Sequence, residues 1–146
     1  MVGASSVNVT YTRGDVILCD LNPVVGTEQA GIRPVVILQI DRANAVSPHT
    51  IIVPFTTKIR RALLPSHVLV PSGVGGLNQD SVILCEQIRV IDKSRVIRII
   101  GHLDDNYMDG LAVALRVILG LWAIALRHCK DMGRSLFSDI RIENSS

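Results

Sequence analysis

For its first hundred residues the chain alternates short apolar runs with polar breaks rich in glycine and proline. Residues 16–21 (VILCDL) form a β-rich run that Asn22 and Pro23 end. Residues 34–40 (PVVILQI) are almost continuously apolar, with Pro34 first, where a strand tolerates a missing N–H. Residues 50–55 (TIIVPF) read as a third strand, and Pro54 within the run predicts an edge strand or the strand's end. Residues 66–71 (SHVLVP) alternate as a fourth strand, 81–91 give a fifth and 96–101 a sixth. Between them, residues 22–33 (NPVVGTEQAGIR) make a long loop, of the kind that carries function in a small domain. Residues 41–49 read as a turn region, 56–64 as a loop holding Lys58, Arg60 and Arg61, and 72–79 (SGVGGLNQ) as a glycine turn.

After His102 the period changes. Asp104 and Asp105 stand where a helix N-cap belongs. Met108, Leu111, Ala112, Leu115, Leu119, Trp122 and Leu126 then recur at helical spacing, which predicts one amphipathic helix running to about residue 127. Val113, Val117, Leu121 and Ile124 widen its apolar stripe, so the helix is expected to pack against both the sheet and a second subunit. Short strands followed by one helix predict a mainly β fold with a C-terminal helix, a small barrel or curled sheet. Residues 1–10 read as a loose leader, 11–129 as a single domain and 130–146 as a tail.

Composition narrows this picture. With 146 residues, 48% hydrophobic and 19% charged, the chain has material for one core and little reason for disorder. Aromatic residues are only 3%, so the core must be aliphatic, and the same scarcity argues against a nucleic-acid surface that relies on rows of stacked aromatics. A formal charge of +2 permits an anionic partner without demanding one. Cys19, Cys85 and Cys129 are widely spaced and odd in number, which argues against a disulfide framework or zinc knuckle and suggests a reducing cytoplasm. The N-terminus lacks the charge and hydrophobic stretch of a signal peptide, and the most apolar stretch, 117–126, is shorter than the roughly 20 residues a bilayer needs. No His, Cys or carboxylate cluster has metal-ligand spacing, so neither a metal nor a cofactor is expected. Gly73, Gly75 and Gly76 are followed by neither Lys-Ser/Thr nor a helix start, which favours a turn over a phosphate cradle.

Three segments, taken together, are more specific. The first is Arg13-Gly14-Asp15-Val16, Asp20-Leu21-Asn22-Pro23, and the run from Gly26 through Thr27-Glu28-Gln29 to Arg33-Pro34-Val35-Val36-Ile37. The second is Ile52-Val53-Pro54-Phe55-Thr56-Thr57. The third is Asp80-Ser81-Val82-Ile83-Leu84-Cys85-Glu86-Gln87-Ile88-Arg89, with Gly101-His102-Leu103 after it. In this order the set resembles the MazF/PemK family of toxin–antitoxin endoribonucleases over roughly residues 11–126. The resemblance implies an SH3-like β-barrel of the MazF/CcdB-like toxin fold, usually a homodimer in the cytoplasm. It implies metal-independent cleavage of single-stranded RNA, including mRNA, at a short motif. The products would carry a 2′,3′-cyclic phosphate and a 5′-hydroxyl, and a cognate MazE-like antitoxin would lay an acidic segment over the RNA groove. Motif matching puts the family's catalytic arginine at Arg33 and its catalytic threonine at Thr56. RNA contacts are implied for Thr27, Glu28, Gln29, Thr57, Lys58, Ser81, Glu86 and Gln87. Thr57 adjoins Thr56, and a slip of one residue along a strand would turn the wrong side chain to the site.

The residue types suit that chemistry. The nucleophile is the substrate's own 2′-hydroxyl, so the protein must align the phosphate and stabilise charge on its oxygens. Arginine's planar, permanently charged fork matches phosphate oxygens but makes a poor general base. A threonine hydroxyl supplies one donor. His67, at the start of a strand near the basic loop, is either the missing base or a strand histidine satisfied by a neighbour. His102 and His128 read as structural and His49 as solvated. Lys58, Arg60 and Arg61 either steer phosphates or solvate a loop, and Glu28 and Glu86 either accept from base amino groups or solubilise theirs. Two other functions fit the same fold: a CcdB-like gyrase poison, which needs neither Arg33 nor Thr56, and a barrel that binds RNA without cutting it.

Overall fold

The computed structural model describes residues 9–59 and 65–121. It contains β1 (Asp15–Asp20), β2 (Ile32–Ile37), the short helix α1 (Asp41–Asn44), β3 (His49–Thr56), β4 (His67–Val70), β5 (Ser81–Leu84), β6 (Arg89–Asp92), β7 (Val96–His102) and α2 (Asp105–Leu119). All strand pairs are antiparallel, in the order β4-β5-β3-β2-β1-β7, with β6 also pairing β3. The fold is therefore mainly β with a C-terminal helix, as expected. The sheet curls without closing, since its path ends at β4 and β7, so the term barrel applies only loosely.

The gap is covered by the glycine turn after β4. A Cβ on Gly76 would stand 2.0 Å from the carbonyl oxygen of Ile100, and one on Gly101 would stand 2.3 Å from the Gly75 backbone. Backbone lies on backbone there, an approach that only residues without a side chain allow.

Alternation along the strands sorts the core into two faces. Val16 joins Val36, Val53, Phe55, Val70 and Ile83, and α2 adds Met108, Leu111 and Ala114 to this face. Ile17, Cys19 and Leu21 face the other way, with Val35, Ile37, Ile52 and Ile91. Both clusters are largely aliphatic, as the composition required, and each fully buried Val, Leu or Ile contributes about 1.5–3 kcal/mol. Cys19 and Cys85 are buried and free, and burial pushes their thiols up to about 11 and about 12, so both stay protonated at neutral pH.

Several expectations need correction. The expected strand 81–91 is two strands, because a 3-10 turn at Cys85–Gln87 divides β5 from β6. β6 pairs with the start of β3 and β5 with its end, and the turn takes up the shift in register between them. Pro54 does not mark an edge, because β3 has neighbours on both sides. It is instead the last β3 residue paired with β2. The turn region 41–49 contains α1. The C-terminal helix begins as expected, with the Asp104 side chain accepting from the Tyr107 N–H at 3.2 Å. It stops at Leu119, because Gly120 adopts the left-handed conformation (φ +70°) and caps it. Trp122, Leu126 and the rest of the expected helix, the tail 130–146, residues 1–8 of the leader, and Arg60, Arg61, His128 and Cys129 all lie outside the described residues. Among those described, no helix is long and apolar enough to cross a membrane.

Candidate functional site

The site grows from the fork where β3 leaves β2. The β2–β3 ladder runs Ile37↔Ile52, Val36↔Val53, Val35↔Pro54 and then ends. β3 instead pairs Phe55 and Thr56 with Ile83 and Val82 of β5, while β2 continues on β1. Extending the β2–β3 register past Pro54 sets Arg33 opposite Thr56. Opposed residues of an antiparallel pair share a face, so these two side chains emerge on the same side of the fork as Val35 and Pro54. Thr57, one residue on, belongs to the other side.

Both groups are held by backbone. Arg33 Nε donates to the Ala30 carbonyl oxygen at 2.6 Å, and its Nη groups have no partner among the described residues. Thr56 is nearly buried, and its Oγ1 accepts from the Lys58 N–H at 3.2 Å. That bond uses a lone pair and leaves the hydroxyl proton to donate elsewhere.

Two hollows flank the fork. The first, about 560 Å³, is lined by Thr27, Glu28, Gln29, Glu86 and Gln87, with Leu21, Pro54, Ile88 and Arg89. Its loop is strapped in place: Gln29 N–H donates to Gln87 Oε1 at 2.8 Å, Arg89 Nη1 to Leu21 O at 3.3 Å, and Arg95 Nη1 to Asp20 O at 3.2 Å and to Asn22 O. The second hollow, about 380 Å³, takes Thr57 and Ser81, together with Leu18, Pro34, Asn78, Gln79, Arg98 and Ile100. The residues expected to touch RNA are thus divided between two hollows rather than gathered in one, and Lys58 lines neither. Arg98, Asn78 and Gln79 escaped the sequence reading. A lone arginine in the apolar run VIRII was the available signal.

Glu86 anchors a small polar cluster. Its Oε1 lies 2.9 Å from His67 Nε2, and its Oε2 accepts from Ser66 Oγ at 3.1 Å. Burial raises its pKa, but the hydrogen bonds from His67 and Ser66 outweigh that and hold the carboxyl below its ordinary range. His67 therefore has a neighbour that satisfies it, the bland alternative of the two set out above. His102 Nδ1 likewise lies 3.0 Å from Asp15 Oδ1. A carboxyl depressed in the folded state stabilises it above the ordinary carboxylate range, and that contribution fades as pH falls through the folded value. Urea midpoints are expected to fall over that acid window, and Glu86→Gln should flatten part of the decline. The difference should be no more than about 1 kcal/mol, because the pair remains partly open to solvent on the Glu86 side. Superimposable pH profiles for the two proteins would show that the contact contributes nothing. Among the described residues no three His, Cys, Asp or Glu side chains gather as metal ligands.

A guanidinium and a hydroxyl thus emerge on one side of a strand fork in a small β-sheet protein, near two hollows lined in part by polar side chains. Residues 12–119 match the family of PemK-like, MazF-like toxins of type II toxin–antitoxin systems, and the chain belongs to that family. It is 50% identical over 109 residues to the endoribonuclease EndoA of Bacillus subtilis, covering 75% of this chain and 94% of the relative. It is 46% identical over 112 residues to the endoribonuclease MazF of Staphylococcus saprophyticus, covering 77% and 93%. Its fold is shared with a mycobacterial endoribonuclease solved in complex with its cognate antitoxin, at a TM-score of 0.63 and 22% identity, covering 76% and 96%.

Proposed function

We propose that this protein is a cytoplasmic, metal-independent endoribonuclease toxin that cuts single-stranded RNA and is neutralised by a cognate, MazE-like antitoxin. The observation that carries the reading is the register that brings Arg33 and Thr56 to one side of the β2–β3 fork, in a chain half identical to a named endoribonuclease. The substrate's 2′-hydroxyl attacks the phosphorus and the 5′-oxygen leaves, giving a 2′,3′-cyclic phosphate and a 5′-hydroxyl. Charge builds on the phosphate oxygens during this step. The Arg33 Nη groups meet those oxygens as a planar fork already oriented by the Nε bond to Ala30. The Thr56 hydroxyl donates a further bond from a nearly buried position, where it loses little to competing water. Glu28, Gln29 and Gln87 line the first hollow beside the fork and offer hydrogen-bonding groups for base edges.

In this reading the protein is a homodimer. Val113, Val117, Ile118, Leu119 and Leu121 are exposed on and just after α2, an apolar surface that a second subunit would cover. Light scattering that returned a monomer mass at micromolar concentration would remove that part of the proposal.

The function is tested by incubating the purified protein with a long single-stranded RNA in excess EDTA. Fragments ending in cyclic phosphate are expected, and sequencing their 5′ ends would reveal the motif. Intact RNA would favour the gyrase-poison or non-cleaving reading instead.

A further inference from the structure

His67 and Ser66 do not line the first hollow, yet they hold one of the side chains that does. Glu86 lines it together with Pro54, which pairs with Val35 on the side of the fork where Arg33 and Thr56 emerge. His67 opens β4 opposite Leu84, the residue before the turn Cys85–Gln87. The imidazole is 12% exposed against 31% for the carboxylate, so Glu86 is the member of the pair that meets solvent. A carboxylate only accepts, so His67 Nε2 carries the proton in their 2.9 Å contact. Ser66 Oγ donates to the other oxygen at 3.1 Å, and Ser66 O accepts from the Cys85 N–H at 3.1 Å, which ties the start of β4 to the turn. One donor on each oxygen fixes the direction of Glu86 and leaves two of its about four lone-pair sites open. Charge then limits what the hollow can hold. Glu28 and Glu86 both line it, and Nη1 of its one lining cation, Arg89, donates to Leu21 O. Two carboxylates repel a phosphate and accept from an amino group.

Resting on the ribonuclease reading above, we infer that His67 is a positioning residue for base recognition: it aims the Glu86 carboxylate into the first hollow at a base that presents an amino group. Adenine, cytosine and guanine carry such a group, whereas uracil would set carbonyl oxygens against the carboxylate. His67 touches no substrate in this arrangement and acts through Glu86. Ser66 is the second, weaker support, because a neutral hydroxyl holds the other oxygen.

The test uses the full chain and a single-stranded oligoribonucleotide carrying the motif found by end sequencing, with each motif base other than uracil changed in turn to uracil. The quantity read is the ratio of kcat/KM for the motif to kcat/KM for each changed oligonucleotide. His67→Phe keeps a flat ring and removes the donor. It is expected to lower that ratio roughly 10-fold at one position, the scale of a charge-assisted hydrogen bond, through KM with kcat kept. Glu86→Gln should lower it at the same position, and adding His67→Phe to Glu86→Gln should lower it no further. His67→Gln, whose amide donates in place of Nε2, should restore it, which a role in packing alone would not produce. Ser66→Ala removes the other donor and gives the same comparison if His67→Phe does not fold. Wild-type discrimination in His67→Phe would overturn the inference, as would additive losses in the double variant. So would a loss confined to kcat, which would make His67 a proton-transfer group. Intact RNA with the wild-type protein would instead sink the ribonuclease reading. The affinities of adenosine, cytidine and uridine homo-oligomers, which need no cleavage, would then still report whether His67→Phe removes a preference over uridine.

Discussion

Replacing Arg33 by alanine is expected to lower kcat/KM for RNA by about 10³-fold or more, the scale set by arginines that stabilise charge in phosphoryl transfer. The protein should stay folded, because Arg33 is only half-buried and its one hydrogen bond goes to a loop carbonyl. Arg33→Lys should recover little, since an ammonium keeps the charge but loses the planar fork and the Nε anchor to Ala30. Thr56→Val keeps the shape and removes the donor, and is expected to cost about 10²-fold to 10³-fold in kcat. Thr57→Val separates the two threonines. If alternation sends Thr57 to the second hollow, that variant should alter KM and spare kcat. Matched melting curves and initial rates on one oligonucleotide would decide the matter. An Arg33→Ala protein cutting within ten-fold of wild type would remove Arg33 from the site, and a Thr57→Val protein losing kcat while Thr56→Val keeps it would exchange the threonines.

The sequence made the strands legible because their period and punctuation are local properties. β1, β2, β4 and β7 lie close to where the apolar runs put them. What it could not show depends on partners distant in the chain. Pro54 reads as a breaker at an edge, whereas it ends the β2 ladder within a strand whose other edge passes from β6 to β5. The break at Cys85–Gln87 carries no glycine or proline to mark it, and it arises from β3 offering β5 and β6 different registers. Gly120 could have been taken as a helix C-cap, but the apolar spacing continues beyond it and masks the signal. The site divides in the same way. Arg33 and Thr56 came from a resemblance, and only the ladder shows why residues so far apart in the chain emerge on one face. Arg98 has no motif, and only the β1–β7 ladder places it opposite Leu18.

That turn carries the second large effect. Gly76→Ala is expected to destabilise the fold by about 3 kcal/mol or more, from two costs that act together. Gly76 has φ +76°, a conformation that costs an L-residue about 1–2 kcal/mol. The added methyl would also stand 2.0 Å from the Ile100 carbonyl oxygen, and that neighbour is β7 backbone, which has no rotamer to yield. Gly73→Ala isolates the first cost, because Gly73 has φ +90° but nothing within 4 Å of the new Cβ. Urea denaturation of the two variants should therefore differ by the steric part, with Gly76→Ala the weaker protein. Gly76 also lines the second hollow beside Asn78 and Gln79, so a turn pushed off β7 should raise KM for RNA under conditions where the variant is still folded. Gly73→Ala should keep the wild-type KM. Equal destabilisation by the two substitutions would mean that the turn does not rest on β7, and that the sheet's open side is covered in some other way.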